Sequence, residues 1–170
     1  VHSATLAGTR DPPVDHLIIH PEVREAITSG RPVVLLETAV TTSGLPRTPW
    51  RWPDLERVKT GHEPWQPEQP VNLELARAMS RTIRDHGAVP ATCAISRGQW
   101  HVGLDPDHLE ALALDTQAEK ASVTSAARAI RTGVHAGTTV SSTLAAGNLV
   151  RRVLGQGPLT MATGGIGGVH

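Results

Sequence analysis

Phenylalanine and tyrosine are both absent from the 170 residues, and cysteine occurs once. A core must therefore be built from Leu, Val, Ile, Ala and Met, with four tryptophans as the only aromatic rings. The single Cys93 excludes an intrachain disulfide and a cysteine cluster for zinc. A lone thiol suits a reducing compartment, so a cytoplasmic location is expected. No segment reaches the about 20 apolar residues that a membrane helix needs. The start, Val1-His2-Ser3-Ala4-Thr5, has neither the basic nor the apolar region of a signal peptide. An excess of charge is missing as well: Lys+Arg and Asp+Glu both number 16. That balance gives no electrostatic case for a nucleic acid polymer, while a small anion needs only a few well-placed donors.

What is present is an alternation of short apolar runs and helical periodicities. Residues 1–19 read as irregular. Pro21–Ser29 reads as a helix stopped by Gly30, and Pro32-Val33-Val34-Leu35-Leu36 as a strand buried on both faces. Residues 47–70 carry five prolines and three of the four tryptophans, an insertion that interrupts the rhythm. Asn72 is placed to cap a helix through Asp85, with Leu75, Ala76, Met79 and Ile83 at helical spacing and Gly87 at its end. Ala88–Ser96 reads as a strand that turns through Arg97-Gly98-Gln99 into Trp100–Leu104, a hairpin. Asp105-Pro106 gives a cap and a first-turn proline for the next helix. Lys120–Val123 reads as a link, Thr124–Arg131 and Ser141–Leu154 as helices, and Leu159–Thr163 as a strand feeding a glycine-rich end. The expected class is α/β, a largely parallel sheet flanked by helices with one hairpin. There is no internal repeat. A glycine-rich run is a poor place for a fold to end, so an incomplete domain is expected.

Three places could carry chemistry. Glu37 follows a buried strand, and in α/β sheets ligands gather at strand carboxyl ends. A carboxyl group partly withdrawn from water there suits proton transfer, although an exposed or Arg-paired glutamate is the commoner outcome. Thr138-Thr139-Val140-Ser141-Ser142-Thr143 offers hydroxyls and free N–H groups at a helix start, which suits a phosphate as well as a plain cap. Gly164-Gly165-Ile166-Gly167-Gly168 allows close approach of backbone to an anion, or is a tight turn; it is neither a dinucleotide fingerprint nor a Walker loop. Lys120 between two apolar segments is by default a solvated lysine, or else presents a cation to a phosphate or carboxylate. The histidines at 16, 20, 62, 86, 101 and 108 form no metal-ligand pattern.

Several blocks taken in order resemble one family, the pseudouridine-5′-phosphate glycosidases, also called indigoidine synthase A-like proteins. They are His20-Pro21-Glu22-Val23, Pro32–Thr38, Ser43-Gly44-Leu45-Pro46, Asn72-Leu73-Glu74, Gly87–Thr92 with Val102-Gly103-Leu104, Gly137–Thr143, and Ala162–His170. The resemblance implies cleavage of the carbon–carbon bond between uracil and ribose 5-phosphate. It implies Glu37 as the proton donor, and Lys120, Thr139, Val140 and His170 as substrate-binding residues. It implies manganese as cofactor and a homotrimer as assembly. The family's imine-forming lysine and its metal-holding aspartate follow the glycine-rich block and would lie beyond His170. Of the two lysines, Lys59 lies in the insertion and Lys120 matches another position, so the 170 residues are expected to supply neither group. The chain is thus expected to be the N-terminal portion of such an enzyme, active only with its complement. A non-catalytic remnant that binds a sugar phosphate is the alternative, and an unrelated nucleotide-binding α/β module a weaker one. The sequence departs from the family pattern at Ser43, where a histidine is usual, at Val123–Ala126, in the 47–69 insertion and around Arg151–Pro158.

Overall fold

A computed structural model of the chain describes residues 14–49, 68–155 and 157–164. Its strands are β1 (Leu17–Ile19), β2 (Val33–Leu36), β3 (Val89–Ser96), β4 (Gln99–Val102), β5 (Glu119–Ala121), β6 (Ala136–Thr138) and β7 (Leu159–Ala162). Its helices are α1 (Pro21–Thr28), α2 (Val71–Asp85), α3 (Pro106–Leu114), α4 (Val123–Thr132) and α5 (Val140–Leu154). A short 3-10 turn, Val14–His16, precedes β1, and one turn of π-helix, Val40–Gly44, follows β2.

The seven strands form one sheet in which four of the six pairings are parallel. β3 is its spine, and every residue from Val89 to Ser96 is buried. That continuous burial is why the strand carries no polar alternation. β4 runs antiparallel along one edge of β3, from Cys93↔Val102 to Ser96↔Gln99, and the Gly103 N–H extends the contact to the Thr92 carbonyl. The other edge of β3 is shared. β2 runs parallel to its first half, Val33↔Val89 to Leu36↔Thr92, and β6 runs antiparallel to its second half at Ala94↔Gly137. β2 and β6 therefore approach each other end to end. β7 lies outside β2, parallel and in register from Val33↔Leu159 to Leu36↔Ala162.

Helices cover both faces. α1, α4 and α5 place Val23, Ala26, Ile130, Ala146 and Val150 in the main core around Trp100, Val102 and Ile95. α2 and α3 lie on the other face and share a smaller cluster of Leu73, Ala76, Leu109 and Ala113. Caps follow ordinary chemistry. Asp105 accepts from the His108 N–H at 2.8 Å, and Ser122 and Ser125 close a capping box before α4. Gly133 ends α4 in the left-handed region, at φ 71°.

Three local expectations are corrected and one unread strand is added. Leu17–Ile19 is a strand rather than irregular chain, because β4 offers a free edge for it at Leu17↔Trp100. Lys120 belongs to β5, not to a link, since Glu119–Ala121 pair with β6. Ala136–Thr138 forms β6, which three residues with a central glycine did not signal. Asn72 is no cap: Pro70 holds that position. Instead Asn72 is fully buried and its amide donates to the Thr41 and Ala113 carbonyls, both at 2.8 Å. Of the 47–70 insertion, residues 50–67 lie outside the described residues. No helix among the described residues is long and apolar enough to cross a membrane.

Two outcomes follow from burial. Cys93 is fully buried, and burial pushes its thiol well above the ordinary range. It is expected to resist a thiol-specific reagent in the folded protein and to react at once in denaturant, measured as absorbance at stoichiometric labelling. His101 is buried, and burial, reinforced by the neighbouring His108, lowers its pKa below the ordinary histidine value. The folded state then refuses a proton that the unfolded chain accepts. Stability is expected to fall as pH drops below about 6.5. Urea titrations should show a shallower slope in that range for His101→Gln.

Candidate functional site at the meeting of three strand ends

Glu37 and Thr38 leave the carboxyl end of β2 where β6 arrives from the opposite direction. The junction is held at the Cys93 carbonyl. Thr38 Oγ1 donates to it at 2.6 Å and Thr138 Oγ1 at 2.7 Å. The main chains join directly as well: the Thr38 N–H donates to the Thr138 carbonyl at 3.1 Å, and the Thr138 N–H to Thr38 Oγ1 at 3.0 Å. Thr143 Oγ1, from the first turn of α5, donates to Thr138 Oγ1 at 2.9 Å. Thr38, Thr138 and Thr143 are each wholly buried. Each of their hydroxyls has a partner, as a dry site demands.

Gly137 is required for this approach. A Cβ there would lie 2.3 Å from Thr42 Oγ1 and 2.6 Å from the Thr38 carbonyl oxygen. Only a residue without a side chain lets the turn at Val40–Gly44 sit against β6. Thr42 reinforces that turn by donating to the Thr38 carbonyl at 3.2 Å. The Arg47 guanidinium donates to the Thr42 carbonyl and, at 3.1 Å, to that of Asp115. With the Asn72 amide, it ties the turn to the end of α3.

Around this frame the residues singled out by sequence fall as follows. Glu37 is half-buried, and its Oε2 accepts from the Val40 N–H at 3.2 Å. That bond folds the side chain over the start of the π-turn. Thr139 is the N-cap residue of α5, its own N–H held by the Ala121 carbonyl at 3.0 Å. Val140 is the first residue of α5, so the N–H groups without an intrahelical partner begin there. Lys120 is exposed. It is the register partner of Gly137, so its side chain leaves the sheet on the face toward the Val40–Gly44 turn. Lys120 and Glu37 are not within ion-pair distance of each other. β7 ends beside them: Leu36↔Ala162 pairing sets Thr163 and Gly164 next to Glu37 and Thr38. His170 and the glycines after Gly164 lie outside the described residues.

The serine/threonine run at 138–143 needs one correction. The hydroxyls of Thr138, Ser142 and Thr143 point inward, to the Cys93 carbonyl, the Ala121 carbonyl at 2.6 Å and Thr138 Oγ1. They build the site rather than face a ligand. Thr139 and Ser141 remain at the surface side, their hydroxyls 3.1 Å apart. Thr38, Thr42, Asn72 and Gly137 were not legible as site-building residues, because each acts on a partner distant in sequence. The one signal was their density: Glu37–Gly44 and Gly137–Thr143 are both rich in hydroxyls after an apolar run.

For manganese the donor set does not fit. Among the described residues no group of three or more His, Cys, Asp and Glu side chains could hold a metal ion, and Glu37 is the one carboxylate at the strand junction. No step below is routed through a metal.

Residues 67–170, more than half of the chain, match the family model described as indigoidine synthase A like protein. The chain belongs to the indigoidine synthase A-like family. Relatives in that family include a pseudouridine-5′-phosphate glycosidase of Sorangium cellulosum, 40% identical over 157 residues, which are 92% of this chain and 41% of that one. Another, of Deinococcus radiodurans, is 37% identical over 155 residues, 91% of this chain and 41% of that one. Solved indigoidine synthase A-like folds agree. The Thermotoga maritima protein superposes with a TM-score of 0.61 at 30% identity, covering 91% of this chain and 42% of that chain. The prealnumycin C-glycosynthase AlnA, solved with ribulose 5-phosphate, gives 0.63 at 28% identity, covering 93% and 42%. The chain thus spans about two fifths of the length of these relatives.

The hydroxyl junction is open to direct test. Thr38→Val removes a buried donor and leaves the Thr138 N–H unpaired, so it is expected to cost about 2–3 kcal/mol. Thr38→Ser keeps both bonds and should cost about 1 kcal/mol. Gly137→Ala forces the π-turn off β6, at about 1–3 kcal/mol. Urea unfolding followed by far-UV circular dichroism orders the three variants.

Proposed function

We propose that this chain supplies one wall of a C-nucleoside glycosidase site that acts on pseudouridine 5′-phosphate. The observation that carries the proposal is the convergence of three strand carboxyl ends on one spot, with a single half-buried carboxylate at its centre. The matching relatives are named for that activity, and a structural neighbour was solved with a five-carbon sugar phosphate.

In this reading Glu37 is the proton carrier. The bond that breaks joins C5 of uracil to the anomeric carbon, and the departing base needs a proton at C5 while water supplies the elements of the new hydroxyl. Glu37 has one carboxyl oxygen held by the Val40 N–H, and among the described residues the other has no hydrogen-bond partner. A carboxyl group so oriented transfers a proton without first reorganising. The phosphate is held at the start of α5, where Val140 and the residues after it present N–H groups and Thr139 a hydroxyl. Lys120, on the neighbouring strand β5, adds a positive charge from the face toward the Val40–Gly44 turn. His170, which lies outside the described residues, also binds the substrate in this reading, and manganese and a trimeric assembly belong to the complete family enzyme, located in the cytoplasm. The imine-forming lysine is supplied by the part of the family chain that these residues do not match.

A chimera tests this directly. Residues 20–170 replace the matched segment of the Deinococcus radiodurans glycosidase, and uracil release from pseudouridine 5′-phosphate is followed by chromatography with manganese added. The chimera is expected to turn over, and Glu37→Gln to lower kcat by about 100-fold or more with little change in KM. Equal rates in the two forms would remove Glu37 from the mechanism. A folded chimera that neither turns over nor binds ribose 5-phosphate would remove the activity.

A further inference from the structure

Side chains of β3 alternate between the two faces of the sheet. Val89, Ala91, Cys93 and Ile95 belong to the main core, so Pro90 and Thr92 face the other way, toward α2 and α3. There they line a groove of about 410 Å³, together with His20 from the start of α1, Leu104 and Leu109. α2 adds Arg77, Arg81 and Arg84 to its rim. The groove shares no residue with the junction around Glu37.

Most charges in and around this groove are matched. Arg84 donates to both carboxyl oxygens of Glu22, at 2.5 and 2.8 Å. Arg77 lies between Glu74 and Glu110, at 3.3 and 2.7 Å. Asp105 is met by His108, through its main-chain N–H and through a ring nitrogen 2.8 Å away. Arg81 alone of the three arginines has neither an ion-pair nor a hydrogen-bond partner among the described residues. A second group is also left over. Thr92 is only 6% exposed, yet among the described residues its hydroxyl has no partner; its carbonyl is already used by the Gly103 N–H. A hydroxyl kept from water and left unpaired costs stability, and valine would fill the same volume without that cost. His20 completes the set. Its Nδ1 accepts from the Glu22 N–H at 3.3 Å, which puts the proton of the neutral ring on Nε2 and makes that nitrogen a donor.

We propose that this groove binds a small monocarboxylate with an apolar body. One uncompensated guanidinium calls for one negative charge, and its planar fork matches a carboxylate. The Thr92 hydroxyl and the His20 ring supply further donors on the same wall. Pro90, Leu104 and Leu109 receive the apolar body. A phosphate dianion suits the groove less well, because its second charge finds the other two arginines already neutralised. The site is separate from Glu37 and does not rest on the activity proposed there.

The test uses the 170-residue chain with benzoate as probe, read from amide chemical shifts in nuclear magnetic resonance. Saturable shifts are expected at Gly103 and Leu104. They are not expected at Val140 and Ser141, whose amides report an anion at the start of α5. Benzamide, which keeps the ring and loses the charge, and inorganic phosphate should each bind at least about tenfold more weakly. Arg81→Gln should weaken benzoate by about tenfold, and Thr92→Val by about threefold or more. Thr92→Val should leave the urea midpoint of the free protein no lower, since its hydroxyl has no partner to lose. Arg131→Gln, exposed on α4, should change neither affinity nor midpoint. Absence of saturable shifts at Gly103 and Leu104 would overturn the inference. So would benzoate affinity that Arg81→Gln leaves unchanged, or phosphate binding as tight as benzoate. A lowered midpoint in Thr92→Val would assign its hydroxyl to the fold and overturn the inference equally.

Discussion

One carbonyl oxygen organises this molecule. Cys93 sits mid-way along β3, where the carboxyl ends of β2 and β6 meet, and its carbonyl accepts the hydroxyls of Thr38 and Thr138 together. Two strands meeting head-on leave main-chain groups that neither ladder can satisfy. In a fully buried place each unsatisfied group costs as much as a lost hydrogen bond. Threonine resolves the conflict because it supplies a donor and an acceptor while its methyl group still packs. Valine in either place would fill the volume and leave the polar groups unmet.

That constraint propagates outward to the candidate site. Because Thr38 is pinned, Glu37 is held at the surface end of the same strand, and its carboxylate reaches the Val40 N–H. Because Thr138 is pinned, Thr139 must end β6 and open α5 beside Glu37. Gly137 permits the close packing, and Arg47 and Asn72 brace the turn from behind. The rigid part of the site is thus built from buried hydroxyls and amides. The groups left facing outward, Glu37, Lys120, Thr139 and the first amides of α5, suit an anionic sugar.

Local pattern carried much of the architecture. The continuous apolar runs at 33–36 and 89–96 announced strands buried on both faces, and Asp105-Pro106 announced a helix start, because each signal resides in neighbouring residues. The three-residue strands β1, β5 and β6 were not legible. They are too short for periodicity, and they are strands only because a partner edge lies next to them. Asn72 misled for a related reason. An asparagine near a helix start ordinarily caps it, yet here Pro70 takes the cap and the amide turns inward to join two carbonyls from distant segments.

The sequence by itself determined the class of fold, the family, and a short set of residues with the right chemistry, Glu37 and the 138–143 hydroxyls among them. The class and the residues are written in composition and local spacing, and the family in the order of the motif blocks it resembles. The tertiary structure alone decided which hydroxyls build and which remain outward. It also decided why residue 137 bears no side chain, and why Lys120 faces the same turn as Glu37. These depend on contacts across 45 to 100 residues of chain, such as Thr138 to Cys93 and Thr138 to Thr38. Separations of that length are brought together only when the whole sheet forms, so no local pattern can encode them.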